Sequence, residues 1–163
     1  MRRRQVSRYG KCMHMQIDGL GSQWSQVAAF TSAIDTALGK WLVDVHRIGL
    51  TEYRALAHLT QAPDKELRVN DLAQKIGLNQ SSATRLVSRL ESKGVARRDV
   101  CADDGRGVYA VLTPEGEALA REVRASYDER IGELLASASA EAPHVDVRLL
   151  GTALRQIADV VTP

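Results

Sequence analysis

Apolar residues return at steps of three and four along most of this chain, in stretches punctuated by glycine and proline. Within residues 22–46 the set is Val27, Phe30, Ile34, Leu38, Trp41, Leu42 and Val45, one face of a long helix that Gly49 closes. Thr51 then stands as an N-cap with Glu52 in the first turn, and Leu56 and Leu59 extend a short second helix up to the breaker Pro63. Beyond a polar loop at 64–66, residues 69–76 offer Leu72, Ala73 and Ile76 to a core and end at Gly77. Asn79 caps a helix running to about Lys93 and closed by Gly94, with Ala83, Leu86, Val87 and Leu90 on one stripe.

The period then changes. Residues 97–101 and 108–112 read as two short strands around a loop whose Asp104-Gly105 pair is a hairpin signal. Thr113, Pro114 and Glu115 together start a new helix, expected to reach about Ala138 with Leu119, Val123, Tyr127, Ile131 and Leu134 on its apolar side. After Pro143, a last helix over 146–161 places Leu150, Leu154, Ile157 and Val161 on one face. The tight Gly77-Leu78-Asn79 connection makes the third and fourth helices a helix-turn-helix, and the hairpin follows it directly.

With 163 residues, 44% of them hydrophobic and 26% charged, the chain suits one compact unit rather than a multidomain enzyme. Its net charge of +2 hides a division: residues 1–11 sum to +5, 12–67 to −2, 68–106 to +3 and 114–163 to −4. A segment that stays positive between acidic flanks suits a polyanion, because that attraction is local. The apolar runs are too short for a bilayer span, and no apolar stretch follows Arg2, Arg3, Arg4, Arg8 and Lys11 as a secretory signal demands. The expectation is a cytoplasmic protein without membrane contact. Met13 and Met15 are alternative starts, which leaves the nativeness of residues 1–14 open, and Cys12 and Cys101 read as a reduced pair.

On the helix after Asn79, the side opposite the apolar stripe presents Gln80, Ser81, Ser82, Thr84, Arg85, Ser88 and Arg89, diluted only by Glu91. Small hydroxyl and amide groups allow close approach to a phosphate or base edge, and an arginine can bridge guanine O6 and N7. The plainer alternative is a solvated amphipathic face, which would normally mix in more glutamates. Arg106 lies between two glycines in the hairpin loop with Asp104 two residues earlier, an arrangement suited to a minor groove, or to an ordinary surface ion pair.

From Leu67 to Gly116 the chain resembles the winged helix-turn-helix of the MarR family of transcriptional regulators. The resemblance rests on Leu67-Arg68-Val69-Asn70-Asp71-Leu72-Ala73, on Gly77 through Val87, and on Arg89-Leu90-Glu91-Ser92-Lys93-Gly94. The wing adds Asp104-x-Arg106 and the closing Leu112-Thr113-Pro114-Glu115-Gly116. It implies a mainly α fold with a small β-hairpin wing, carried by N- and C-terminal dimerisation helices. The divisions are a basic tail (1–20), a first dimerisation helix (21–50), the DNA-binding domain (51–113) and C-terminal dimerisation helices (114–163). It also implies a homodimer on double-stranded DNA, reading a pseudo-palindromic operator, and a repressor released by a small aromatic or lipophilic effector without a cofactor. Trp24, Trp41, Tyr53 and His58 fall where the family's effector cleft is lined, although core or dimer packing is the blander and favoured explanation.

Other readings have less behind them. The resemblance also brings in thiol-based redox sensing, but the family's peroxide-sensing branch carries its reactive cysteine near the start of the first core helix. Here Cys12 precedes that helix and Cys101 borders the wing as a strand residue, beside Arg97 and Arg98, which would lower its pKa. His14, His46, His58 and His144 are scattered singly, so no metal site is expected. No phosphate-cradling glycine loop, nucleophile elbow or paired acid-base motif marks an enzyme. A winged helix used as a protein-interaction module would need no basic recognition face.

Overall fold

Thirty consecutive residues form the first helix, α1 (Ile17–His46), which starts earlier than the apolar period announces. The computed structural model describes residues 17–100, 107–141, 149, 151, 152 and 156. After α1 come α2 (Leu50–Gln61), a 3₁₀ turn at Pro63–Lys65, β1 (Glu66–Arg68), α3 (Val69–Lys75) and α4 (Gln80–Ser92). The chain continues through β2 (Ala96–Val100), β3 (Val108–Leu112) and α5 (Pro114–Glu141). The expected last helix over 146–161 lies almost entirely outside the described residues.

Local chemistry fixes most boundaries. The Asn79 Oδ1 accepts the Ser82 N–H at 2.8 Å, satisfying a donor that the first turn of α4 leaves without a helical partner. Gly77 and Gly94 sit at φ 69° and 72° just beyond α3 and α4, the left-handed conformation that ends a helix cheaply only without a Cβ. Thr113 starts α5 as expected: its Oγ1 accepts the Gly116 N–H at 3.1 Å and donates to Gly94 O at 2.7 Å, tying the new helix to the end of α4.

Two local expectations change. Gly49, not Thr51, is the N-cap of α2, because the Glu52 carboxylate reaches back to the Gly49 N–H at 2.9 Å. The wing also gains a strand, for β1 pairs antiparallel with β3 in a three-stranded sheet ordered β1-β3-β2. Three residues are too few for a periodic signal, and β1 is a strand only because Leu67 finds Ala110 across the ladder.

The core gathers under the helix-turn-helix. Leu42, Leu56, Leu59, Leu72, Leu86, Val87, Leu90 and Val123 are fully enclosed and pack as one cluster drawn from α1 to α5. Each such side chain contributes about 1.5–3 kcal/mol on leaving water. The ends of the long helices are different. Leu38 and Leu42 of α1 are buried, but Val27 and Val45 are 45% and 58% exposed despite their place in the apolar period. Ile131 and Leu134 of α5 are only half-buried.

Candidate nucleic-acid interface

The stripe Ala83, Leu86, Val87 and Leu90 faces the core, so α4 has no freedom over which side it shows outward. Gln80, Ser81, Thr84, Arg85 and Arg89 are exposed, and Ser82 and Ser88 half-buried. The hydroxyl protons already have acceptors: Ser81 donates to Asn79 Oδ1 at 2.9 Å, Thr84 to Gln80 O at 2.9 Å and Ser88 to Thr84 O at 3.0 Å. Each must therefore exchange an internal bond to donate to a phosphate.

The two arginines differ. Arg85 engages no acceptor among the described residues. Arg89, expected to read bases beside it, turns its Nε to 3.5 Å from the buried Glu52 carboxylate. The acid on this helix is neutralised from β2, where Arg98 brings its Nε to 3.5 Å from Glu91 Oε2 and its backbone N–H to 3.3 Å from Oε1. Arg98 also donates through Nη2 to Ser88 Oγ.

Arg98 and Arg68 were not singled out by spacing, yet both line a hollow of 170 Å³ with Asn70, Gln80 and Thr84, between the start of α3, the front of α4 and the base of the wing. Arg68 donates through Nε to the Tyr109 hydroxyl at 2.8 Å and lies 5.4 Å from that ring's centroid. Their only sequence signal is the positive sum of 68–106; which cations converge depends on the β1–β3 and β2–β3 registers. Asp104 and Arg106, with Cys101, Cys12, His14 and His144, lie outside the described residues.

Of the four residues assigned to an effector cleft, two come together. Tyr53 and His58 line a 410 Å³ cleft between α2 and α5, with Arg54, Arg121, Arg124 and Tyr127. The Tyr53 and Tyr127 rings are 4.6 Å apart at 50°. Burial pushes both phenols above their usual pKa; burial, reinforced by Lys75, holds the His58 imidazole below its own. Trp41 lies elsewhere, in a hollow between α1 and α5 with its ring 5.1 Å from His46. Trp24 is 72% exposed on α1 and lines neither space. Tyr127 was legible only as an apolar position of its helix, and its partnership with Tyr53 is a tertiary fact.

Among the described residues no group of three His, Cys, Asp or Glu side chains is placed to hold a metal ion, and no helix is long and apolar enough to cross a membrane.

Comparison with known proteins places this geometry. Residues 47–107 match the model of the MarR family. The fold is similar to that of Sco3205, a MarR family transcriptional regulator from Streptomyces coelicolor solved in complex with DNA, at 22% identity over 94% of each chain and a TM-score of 0.73. AbsC, a MarR family regulator from the same organism, is 23% identical over 91% of this chain and 98% of its own, with a TM-score of 0.70. NadR, solved in complex with 4-hydroxyphenylacetate, is 24% identical over 94% of this chain and 98% of its own, with a TM-score of 0.57. Residues 47–107 thus match the MarR family model, in a chain whose fold is similar to that of solved regulators of that family.

Proposed function

We propose that this chain is a sequence-specific, DNA-binding transcriptional regulator, acting as a homodimer on a pseudo-palindromic operator. The observation that carries this reading is the outer face of α4, where Gln80, Ser81, Thr84 and Arg85 are exposed and Glu91, the helix's acid, is already occupied by Arg98. Such a face can approach a polyanion without paying for repulsion, and a MarR-type relative of similar fold has been solved on DNA. Gln80, Ser81, Ser82, Thr84 and Ser88 position the helix against phosphates while Arg85 reads a base edge. Arg106, steadied by Asp104, enters the adjacent minor groove. Arg68 and Arg98 add phosphate contacts beside the wing. Trp24 and Val27, exposed on α1, supply apolar surface for the dimer, which would hold two copies of α4 one duplex turn apart, about 34 Å.

The same reading makes the protein a cytoplasmic repressor released by a small aromatic or lipophilic effector in the α2–α5 cleft. Its paired, tilted tyrosines and Arg54, Arg121 and Arg124 suit an aromatic acid, and a relative of similar fold has been solved with 4-hydroxyphenylacetate. Selection of bound sequences from a random duplex pool, with and without aromatic acids, tests the whole. A palindrome whose enrichment falls when one acid is added is the expected result; a protein that enriches no sequence at low salt ends the proposal.

A further inference from the structure

Glu52 is 6% exposed, an acid nearly closed off from water in the first turn of α2. Both of its oxygens are engaged. Oε2 accepts the Gly49 N–H at 2.9 Å and the Lys93 Nζ at 2.6 Å, while Oε1 lies 3.5 Å from Arg89 Nε. Lys93 also donates to Arg47 O at 3.2 Å, at the corner between α1 and α2 where Arg47 takes a left-handed φ of 56°. One carboxylate thus joins the α1–α2 corner to the last turn of the helix that presents Arg85.

The apolar stripe of α4 chooses which face points inward, but hydrophobic contact is non-directional and tolerates small rotations about the helix axis. Charge-assisted hydrogen bonds do have direction, and a carboxylate this buried holds its donors strongly because leaving them would strand a charge away from water. With Arg89 and Lys93 both drawn to Glu52, the rear of α4 is fixed in rotation. The Arg89 Nε leans toward Glu52, while Arg85, one turn earlier, has no such tie among the described residues.

We propose that Glu52 is a positioning residue for DNA reading: through Lys93 and Arg89 it sets the rotation of α4 and leaves Arg85 as the arginine that reads bases. This rests on the DNA-binding reading above and adds a residue that touches no DNA.

The test compares two duplexes, the best sequence selected by the wild type and a mixed-sequence duplex of equal length, with folding checked by circular dichroism. Glu52→Gln removes a negative charge near the DNA face, which by electrostatics alone tightens both complexes alike; a loss of folded protein weakens both alike. Lost positioning changes their ratio. The expected result is a fall of about tenfold in the selected-to-mixed affinity ratio, the discrimination typical of one base-pair contact. If Glu52→Gln does not fold, Lys93→Gln, at a side chain 39% exposed, tests the same tie and is expected to move the ratio in the same direction. A folded variant with an unchanged ratio, while the wild type still discriminates, overturns the proposal. A wild type that binds neither duplex overturns the DNA-binding reading itself, and the positioning role with it.

Discussion

Asp35 on α1 takes both terminal nitrogens of Arg54 on α2, Nη1 to Oδ2 at 3.0 Å and Nη2 to Oδ1 at 2.6 Å. This two-pronged bond, which raises the Arg54 pKa, holds the first long helix to the helix-turn-helix lobe at the wall of the α2–α5 cleft. Both side chains are over two-fifths exposed, so the pair is worth about 1 kcal/mol at most. Asp35→Asn is expected to lower stability by roughly that amount in urea titration. It also frees Arg54, so calorimetric titration should show tighter binding of an aromatic carboxylate. Unchanged affinity would place the ligand away from Arg54.

Gly116 lies in the first turn of α5 against the loop that follows α4. A Cβ there would sit 1.9 Å from Val95 O and 2.9 Å from a Leu112 methyl. Backbone cannot give way as a flexible side chain does, so Gly116→Ala should cost about 3 kcal/mol or prevent folding. Denaturant unfolding of the purified variant measures this, and a stability equal to wild type would contradict the close approach of α5 to this loop.

Arg85 and Arg89 stand four residues apart on one helix but have unlike surroundings. Arg85→Ala is expected to cost about 1–3 kcal/mol at the selected operator and to relax the preference at one base pair. Arg89→Ala should instead flatten the preference across the whole site, because that guanidinium is directed to Glu52 and its loss loosens the helix rather than one base contact. Repeating the duplex selection with each variant separates the two roles.

Glu52 predicts the acid limb of the stability profile. Burial pushes its pKa up, but the Lys93 hydrogen bond, the Gly49 N–H and the charges of Lys93 and Arg89 outweigh it, leaving the pKa below the usual 4.5. A carboxylate whose folded pKa is depressed stabilises the fold above its unfolded value and loses that contribution as pH falls through the folded one. Unfolding of wild type and Glu52→Gln should therefore differ most at neutral pH and converge below pH 4.5, as the folded carboxyl takes up its proton. A constant gap down to the most acid samples would deny Glu52 its charged state in the fold.

Much of the helix-turn-helix is written locally, where a residue and its partner lie within one turn. The Asn79 and Thr113 caps, the Gly77 and Gly94 stops and the stripe Ala83, Leu86, Val87 and Leu90 need no distant contact, and all appear as the spacing announces. The start of α2 went to Gly49 rather than Thr51 because a side chain within the first turn competes for the cap, and spacing alone does not rank such competitors.

The sequence by itself determined which face of α4 meets solvent, since a 3.6-residue period allows one burial direction, and it determined where α4 lies and where α5 begins. Tertiary structure decided what that face could use. Arg89 became a tether because Glu52 folds back beneath it, and Arg98 became a neighbour of Ser88 because the β2–β3 register turned it toward α4. Tyr127 met Tyr53 because α5 crosses α2. Hydrophobic periodicity is a property of neighbours along the chain; the pairing of charges and rings depends on distances that exist only once the helices have packed.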